Sequence, residues 1–113
     1  MHELAICESI REEIEKQAKL QCFLRVRRVA LEIGALAGVE IESLQFGFDV
    51  VMRGSPAETA KLDIIERPAR AWCFPCETTV PISARYHPCP KCGSYQLQVT
   101  AGEELKIKEL EVD

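Results

Sequence analysis

Aromatic residues are scarce in this chain of 113 residues: one Trp, two Tyr and four Phe make up 6% of it. No aromatic series is interleaved with basic residues, so there is no stacking platform for a nucleic-acid strand. Positive charge is not in excess, since 14 Lys and Arg stand against 18 Asp and Glu for a formal net charge of −4. That sign repels a phosphate backbone. No apolar run approaches the ~20 residues needed to cross a bilayer, and no Ser-, Gln- or Pro-rich tract points to disorder. The opening residues, Met1 to Arg11, lack the charged start and apolar stretch of a secretory signal, so the expected location is the cytoplasm, with no membrane partner. No nucleophile stands beside a plausible base, and an enzyme is not expected.

What remains is a hydrophobic share of 47%, enough for a core, in a length that suits one domain with at most a small appendage. Residues 3 to 20 are expected to form an amphipathic helix, because Leu4, Cys7, Ile10, Ile14 and Ala18 recur at three- and four-residue intervals. From 25 to 34 the period becomes two, with Val29, Leu31 and Ile33 on one face of a strand and Arg28, Ala30 and Glu32 on the other. Ile41, Leu44, Phe48 and Val51 repeat the helical stripe over 40 to 52, and Gly54 and Pro56 stop it. Residues 61 to 67 alternate as a strand that Pro68 ends. Beyond Gly102 a last strand is expected to return to the first sheet. Between them, residues 71 to 100 hold four of the six cysteines and four of the six prolines, which marks this stretch as the appendage.

The appendage carries the strongest chemical signal. Cys73-Phe74-Pro75-Cys76 and Cys89-Pro90-Lys91-Cys92 are two C-x-x-C knuckles separated by residues 77 to 88, which are free to form a hairpin. The spacing suits four thiolates around one tetrahedral Zn²⁺ at about 2.3 Å. A closed four-thiolate set leaves no open coordination position, so the ion would be structural, and its binding would supply much of the folding free energy of so short a segment. Two disulfides or a redox iron site are the alternatives for the same ligands. Glu77 follows the first knuckle where Gly93 follows the second, so the two turns need not be equivalent. Cys7 and Cys22 lie too far apart along one helix for a disulfide; burial is expected for Cys7.

The first residues offer a different donor set. A bulky His2 should preserve Met1 and its free amine. That amine and the His2 backbone nitrogen would close a five-membered chelate ring, and the backbone nitrogen and imidazole Nδ1 a six-membered one. Three nitrogens then lie nearly in a plane, the geometry of Ni(II) or Cu(II). The Glu3 amide, a distant side chain such as His87, or water could be the fourth donor, and the Glu3 carboxylate could steer or hydrogen-bond instead.

Taken together, Met1-His2-Glu3-Leu4, the Leu31-Glu32-Ile33-Gly34-Ala35-Leu36 strand and turn, Phe46-Gly47-Phe48-Asp49 and the paired knuckles resemble the HypA/HybF family of hydrogenase nickel-insertion proteins. The resemblance spans the whole chain. It implies an α+β fold in which two helices pack on a small mixed sheet, with residues 1–70 and 101–113 as a nickel-binding domain. A zinc-ribbon-like Cys₄ domain at 71–100 would be inserted before the final strand. It implies a metallochaperone that holds Ni²⁺ as transient cargo at Met1, His2 and Glu3 and structural Zn²⁺ at Cys73, Cys76, Cys89 and Cys92. The implied partners are the GTPase HypB, the large subunit of [NiFe]-hydrogenase and, in some organisms, the urease maturation proteins, for a monomer or homodimer. The rival reading is a zinc-ribbon module binding nucleic acid through Arg25, Arg27 and Arg28, or binding another protein. The acidic balance weighs against the nucleic acid.

Overall fold

The computed structural model describes residues 2–113. Among them the chain forms α1 (His2–Gln21), β1 (Val26–Gly34), α2 (Ile41–Val51), β2 (Lys61–Arg67), β3 (Arg70–Cys73), β4 (Thr78–Pro81), β5 (Leu97–Ala101) and β6 (Leu105–Val112). Two three-stranded sheets result, in the strand orders β2-β1-β6 and β4-β3-β5. The α+β class is as expected, the last strand joins the first sheet, and the cysteine-rich stretch has a sheet of its own.

Helix α1 buries Cys7, Ile10 and Ile14 along the apolar stripe, with Glu3 in its first turn and Lys19 in its last, each charge matched to the helix dipole. It ends where Cys22 adopts φ 55° and the Phe23 N–H donates to the Ala18 carbonyl at 3.2 Å, a closing turn that usually takes glycine. Helix α2 buries Leu44, Gly47 and Phe48. Glu3 lies by Glu40, Cys7 by Leu44 and Arg11 by Val51, so the two helices advance together in the same direction. Gly47 permits their close approach: a Cβ there would stand 3.1 Å from Leu4 Cδ2 and 3.4 Å from Cys7 Sγ.

Helix α2 has almost no capping groups of its own. Its N-cap residue is Glu40, whose side chain makes no capping hydrogen bond, and its last turn holds no basic residue. Helix α1 supplies both ends. At the start of α2 the Glu40 N–H donates to Glu3 Oε2 at 3.4 Å; at its end Arg11 Nη1 donates to the Val51 and Arg53 carbonyls at 2.8 and 2.9 Å. An anion therefore sits at the positive end of the helix and a cation at the negative end.

Strand β1 is the middle strand of its sheet, and this changes its burial pattern. Val29, Leu31 and Ile33 are buried as the alternation predicts, and so are Val26 and Ala30 on the opposite face. Beside Ala30, Arg28 hydrogen-bonds Asp63 of β2 and Glu109 and Glu111 of β6 at 3.0 and 2.9 Å, joining the central strand to both neighbours. Arg27 pairs with Asp113 at 3.0 Å and Arg25 with the same residue at 3.8 Å. All three arginines of the nucleic-acid reading are thus paired to carboxylates. Arg28 holds the Asp63 carboxyl below the ordinary range, chiefly through its hydrogen bond.

The chain folds as two compact units. The first takes in the chain to Leu31, Val39–Ile64 and Ile107–Asp113; the second takes in Glu32–Gly38 and Ile65–Lys106. In the second, β3 pairs antiparallel with β4, placing Cys73 opposite Thr78, and with β5, placing Cys73 opposite Leu97. Around the first knuckle a small core cluster joins Cys73, Val80 and Cys89, with Cys76, Ile82 and Leu97 packed against it. Cysteines make up half of that cluster, too little apolar surface to hold this part unaided.

Candidate metal centre

The first knuckle is itself a hairpin turn. Cys73 ends β3, Cys76 lies in the turn and Thr78 opens β4. The hairpin expected between the knuckles therefore straddles the first of them, because the reversal is made by the ligand loop. Glu77 adopts φ 50° and Gly93 φ 77°, so the residue after each knuckle takes the left-handed conformation and the two turns correspond there despite the different residues. In the second knuckle the Gly93 N–H donates to the Cys89 carbonyl at 2.8 Å and the Lys91 N–H to Cys89 Sγ at 3.3 Å. Such amide-to-sulfur bonds orient and stabilise a ligating thiolate.

The four sulfurs converge: the Sγ atoms of Cys73, Cys76, Cys89 and Cys92 all lie within 4.8 Å of one another, and Cys73 Sγ stands 3.6 Å from Cys92 Sγ. A tetrahedron of thiolates about 2.3 Å from Zn²⁺ has edges of about 3.8 Å, so the donor set fits such an ion. All six cysteines are free, and the Cys73–Cys92 separation is far beyond the ~2.05 Å of a disulfide. Burial works against ionisation of Cys89, but the amides of Cys92 and Lys91, together with the Cys73 and Cys92 thiols, outweigh it and bring the thiol down to about 6. Cys76 is pushed up to about 12 by its contact with the Cys92 thiol and by burial, and burial also raises Cys73. Four thiols crowded together cannot all ionise alone; a cation held by Cys73, Cys76, Cys89 and Cys92 would supply the missing positive charge.

The donors at the chain start are arranged differently. His2 is the exposed first residue of α1. Its Nδ1 lies 3.4 Å from Glu3 Oε2, the same oxygen that accepts from the Glu40 N–H. That hydrogen bond is the largest cause of the lowered Glu3 pKa, so the carboxylate form is favoured. The His2 and Glu3 amides fall within the first turn of α1, where backbone N–H groups have no intrahelical acceptor; neither amide is committed to the helix. Met1 and its amine lie outside the described residues. His87 Nδ1 is 2.9 Å from Ser83 Oγ in the second unit. Cys7 is fully buried, approaches the Leu44 carbonyl at 3.6 Å and is raised to about 11, first by burial and then by Glu3 and Glu8. Sequence reading gave no role to Glu40, whose backbone N–H fixes the Glu3 carboxylate; its one signal is that glutamate is a weak choice for an N-cap.

Residues 1–112 match the family described as hydrogenase/urease nickel incorporation, metallochaperone, HypA. The chain is 58% identical over 113 residues to the "Hydrogenase maturation factor HypA" of Azotobacter chroococcum mcd 1, covering all of both proteins. It is 56% identical to the factor of the same name from Azotobacter vinelandii, again over the full length of both. It also resembles the solution structure of the Ni metallochaperone HypA from Helicobacter pylori, with a TM-score of 0.71 and 25% identity over 97% of this chain and 96% of that one. A second HypA solution structure gives a TM-score of 0.73 and 26% identity over 99% and 96%.

Proposed function

Because the chain belongs to the HypA family of nickel-incorporation metallochaperones for hydrogenase maturation, proteins that carry a metal and are not enzymes, we propose a division of metals between its two ends. In this reading Met1, His2 and Glu3 hold Ni²⁺ as cargo, while Cys73, Cys76, Cys89 and Cys92 hold Zn²⁺ as a permanent structural ion. The residues 1–70 with 101–113 form the nickel-binding part and residues 71–100 the zinc-binding part. The observation that carries this reading is the mutual approach of four sulfurs within 4.8 Å. A closed thiolate set has no vacancy for a metal that must come and go, which leaves that task to the nitrogen donors of the first residues.

The Met1 amine, the His2 backbone nitrogen and His2 Nδ1 bind the cargo as a planar set, and the Glu3 amide, a distant side chain such as His87 or water completes it. Binding at Nδ1 requires the ring to give up its contact with Glu3 Oε2, which keeps its hold on the Glu40 N–H. Release proceeds as consecutive donors peel away while a partner offers replacements. Acid favours release, because protons compete with the metal for the imidazole and the amine. The recipient is the large subunit of [NiFe]-hydrogenase, with HypB as the companion GTPase and the urease maturation proteins as a second route, all in the cytoplasm. Copper binds a nitrogen set more tightly than nickel by the Irving–Williams order, so selectivity falls to metal supply and to the docking partner.

Nickel titration of the zinc-loaded protein tests this reading. His2→Ala, and a form with residues added before Met1, should each lose the high-affinity site while keeping one zinc. Undiminished nickel binding in both forms would overturn it.

A further inference from the structure

We propose that the trough between α1 and α2 is a docking surface for a basic, amphipathic segment of a protein partner. The trough is lined by Glu8, Arg11, Glu12 and Glu15 of α1 and by Val50 and Val51 of α2, with a volume of about 500 Å³. Phe46 lies one turn before Val50 on the same side of α2, and the two are 72% and 40% exposed. The lining thus sets two valines against three carboxylates, and the exposed Phe46 ring continues the apolar strip along α2 beyond it.

Charge decides what fits between these walls. Arg11 is the one cation of the lining, and its guanidinium is committed: Nη1 donates to the Val51 and Arg53 carbonyls, and Nε lies 3.5 Å from Glu15. The remaining field is set by Glu8 and Glu12. It repels nucleic acid and anionic lipid, and a second copy of this chain would bring the same acidic wall to meet its own. A segment with Lys or Arg on one side and a large apolar side chain on the other meets both walls at once. Glu8 is less than two helical turns from His2, at ~1.5 Å per residue, so a segment seated here lies beside the end of α1 that holds the cargo. Only that last consequence rests on the nickel reading; the docking surface itself does not.

Two peptide probes test the proposal on the full zinc-loaded, ¹⁵N-labelled chain. One is a synthetic amphipathic helix with Lys and Leu on opposite faces, and the other is its twin with every Lys replaced by Glu. The Lys peptide should shift amides of residues 8–15 and 46–53, and the Glu twin should shift none. Raising the salt from about 50 to about 300 mM should weaken binding roughly tenfold. Phe46→Ala should weaken it by about tenfold, as loss of an aromatic anchor does, and Glu8→Gln with Glu12→Gln should remove the salt dependence. Nickel titration of the same variants reports separately on the cargo site. Shifts scattered over other acidic faces, equal binding of both peptides, or a concentration-dependent dimer abolished by Phe46→Ala would each overturn the proposal.

Discussion

Replacing Arg11 by Met should release the end of α2 while leaving α1 intact. The thioether stem still covers apolar surface, but the two bonds from Nη1 to the Val51 and Arg53 carbonyls, at 2.8 and 2.9 Å, are lost. No basic residue of α2's own last turn replaces them. A hydrogen bond from a charged donor contributes about 1.5–3 kcal/mol when shielded. Arg11 has a side-chain exposure of 31%, so water takes over part of each bond and the lower end applies. Counting the pair as one contact because both bonds leave the same Nη1, and adding a dipole contribution of about 0.3–1 kcal/mol, the expected loss is about 2–2.5 kcal/mol, or a fall in Tm of roughly 9 °C for a chain of this size. Urea unfolding of the zinc-loaded protein reads the total. Hydrogen exchange at the Met52 amide, which donates to the Phe48 carbonyl at 3.0 Å, shows whether the loss lies in α2. Arg11→Lys should recover part of it, having charge but no fork. A loss under about 0.5 kcal/mol, or unchanged exchange in the last turn of α2, would refute capping from the neighbouring helix.

Glu77→Gly should stabilise the zinc-loaded protein by up to about 1 kcal/mol, since φ 50° strains a side chain that glycine lacks; thermal melting reads it, and a lower Tm would count against an equivalence of the two knuckles. Chelating the zinc should abolish hydrogen-exchange protection in residues 71 to 100 while α1 and α2 keep theirs, and global unfolding would show that the two parts do not fold separately. The Asp63 carboxyl has its folded pKa depressed by Arg28. Its stabilising contribution is complete above the unfolded value near 3.9 and is lost as pH falls through the folded value. Asp63→Asn should accordingly flatten the acid limb of the stability curve, measured by urea midpoints across that range; an unchanged limb would deny the pairing a role.

Much of the fold is legible in the residues because α1, α2 and β2 each carry one clear period. The helix expected over 3 to 20 is His2–Gln21, and the one over 40 to 52 is Ile41–Val51. The quartet is legible for a different reason, since a two-residue gap constrains two sulfurs locally and needs no knowledge of the rest of the chain. What could not be read depends on contacts far apart in sequence. Glu3 and Arg11 cap a helix nearly forty residues on, and no local motif records an acceptor supplied by another element. Arg25, Arg27 and Arg28 are the sharpest case. As a string they look like a basic patch, and only the placement of β1 between β2 and β6 shows that carboxylates from those strands and the chain end consume them. Ala30 is buried for the same reason. Strands β3, β4 and β5 are too short to show a period, and their order comes from pairing around Cys73.

Nickel-edge X-ray absorption on the zinc-loaded protein with one equivalent of nickel reads the cargo's donors directly. Separate metal sites require a first shell of nitrogen and oxygen alone, with an imidazole signature that His2→Ala removes. Sulfur in that shell, near the ~2.2–2.3 Å of a metal–thiolate bond, would place the cargo among the cysteines and contradict the division of the two metals.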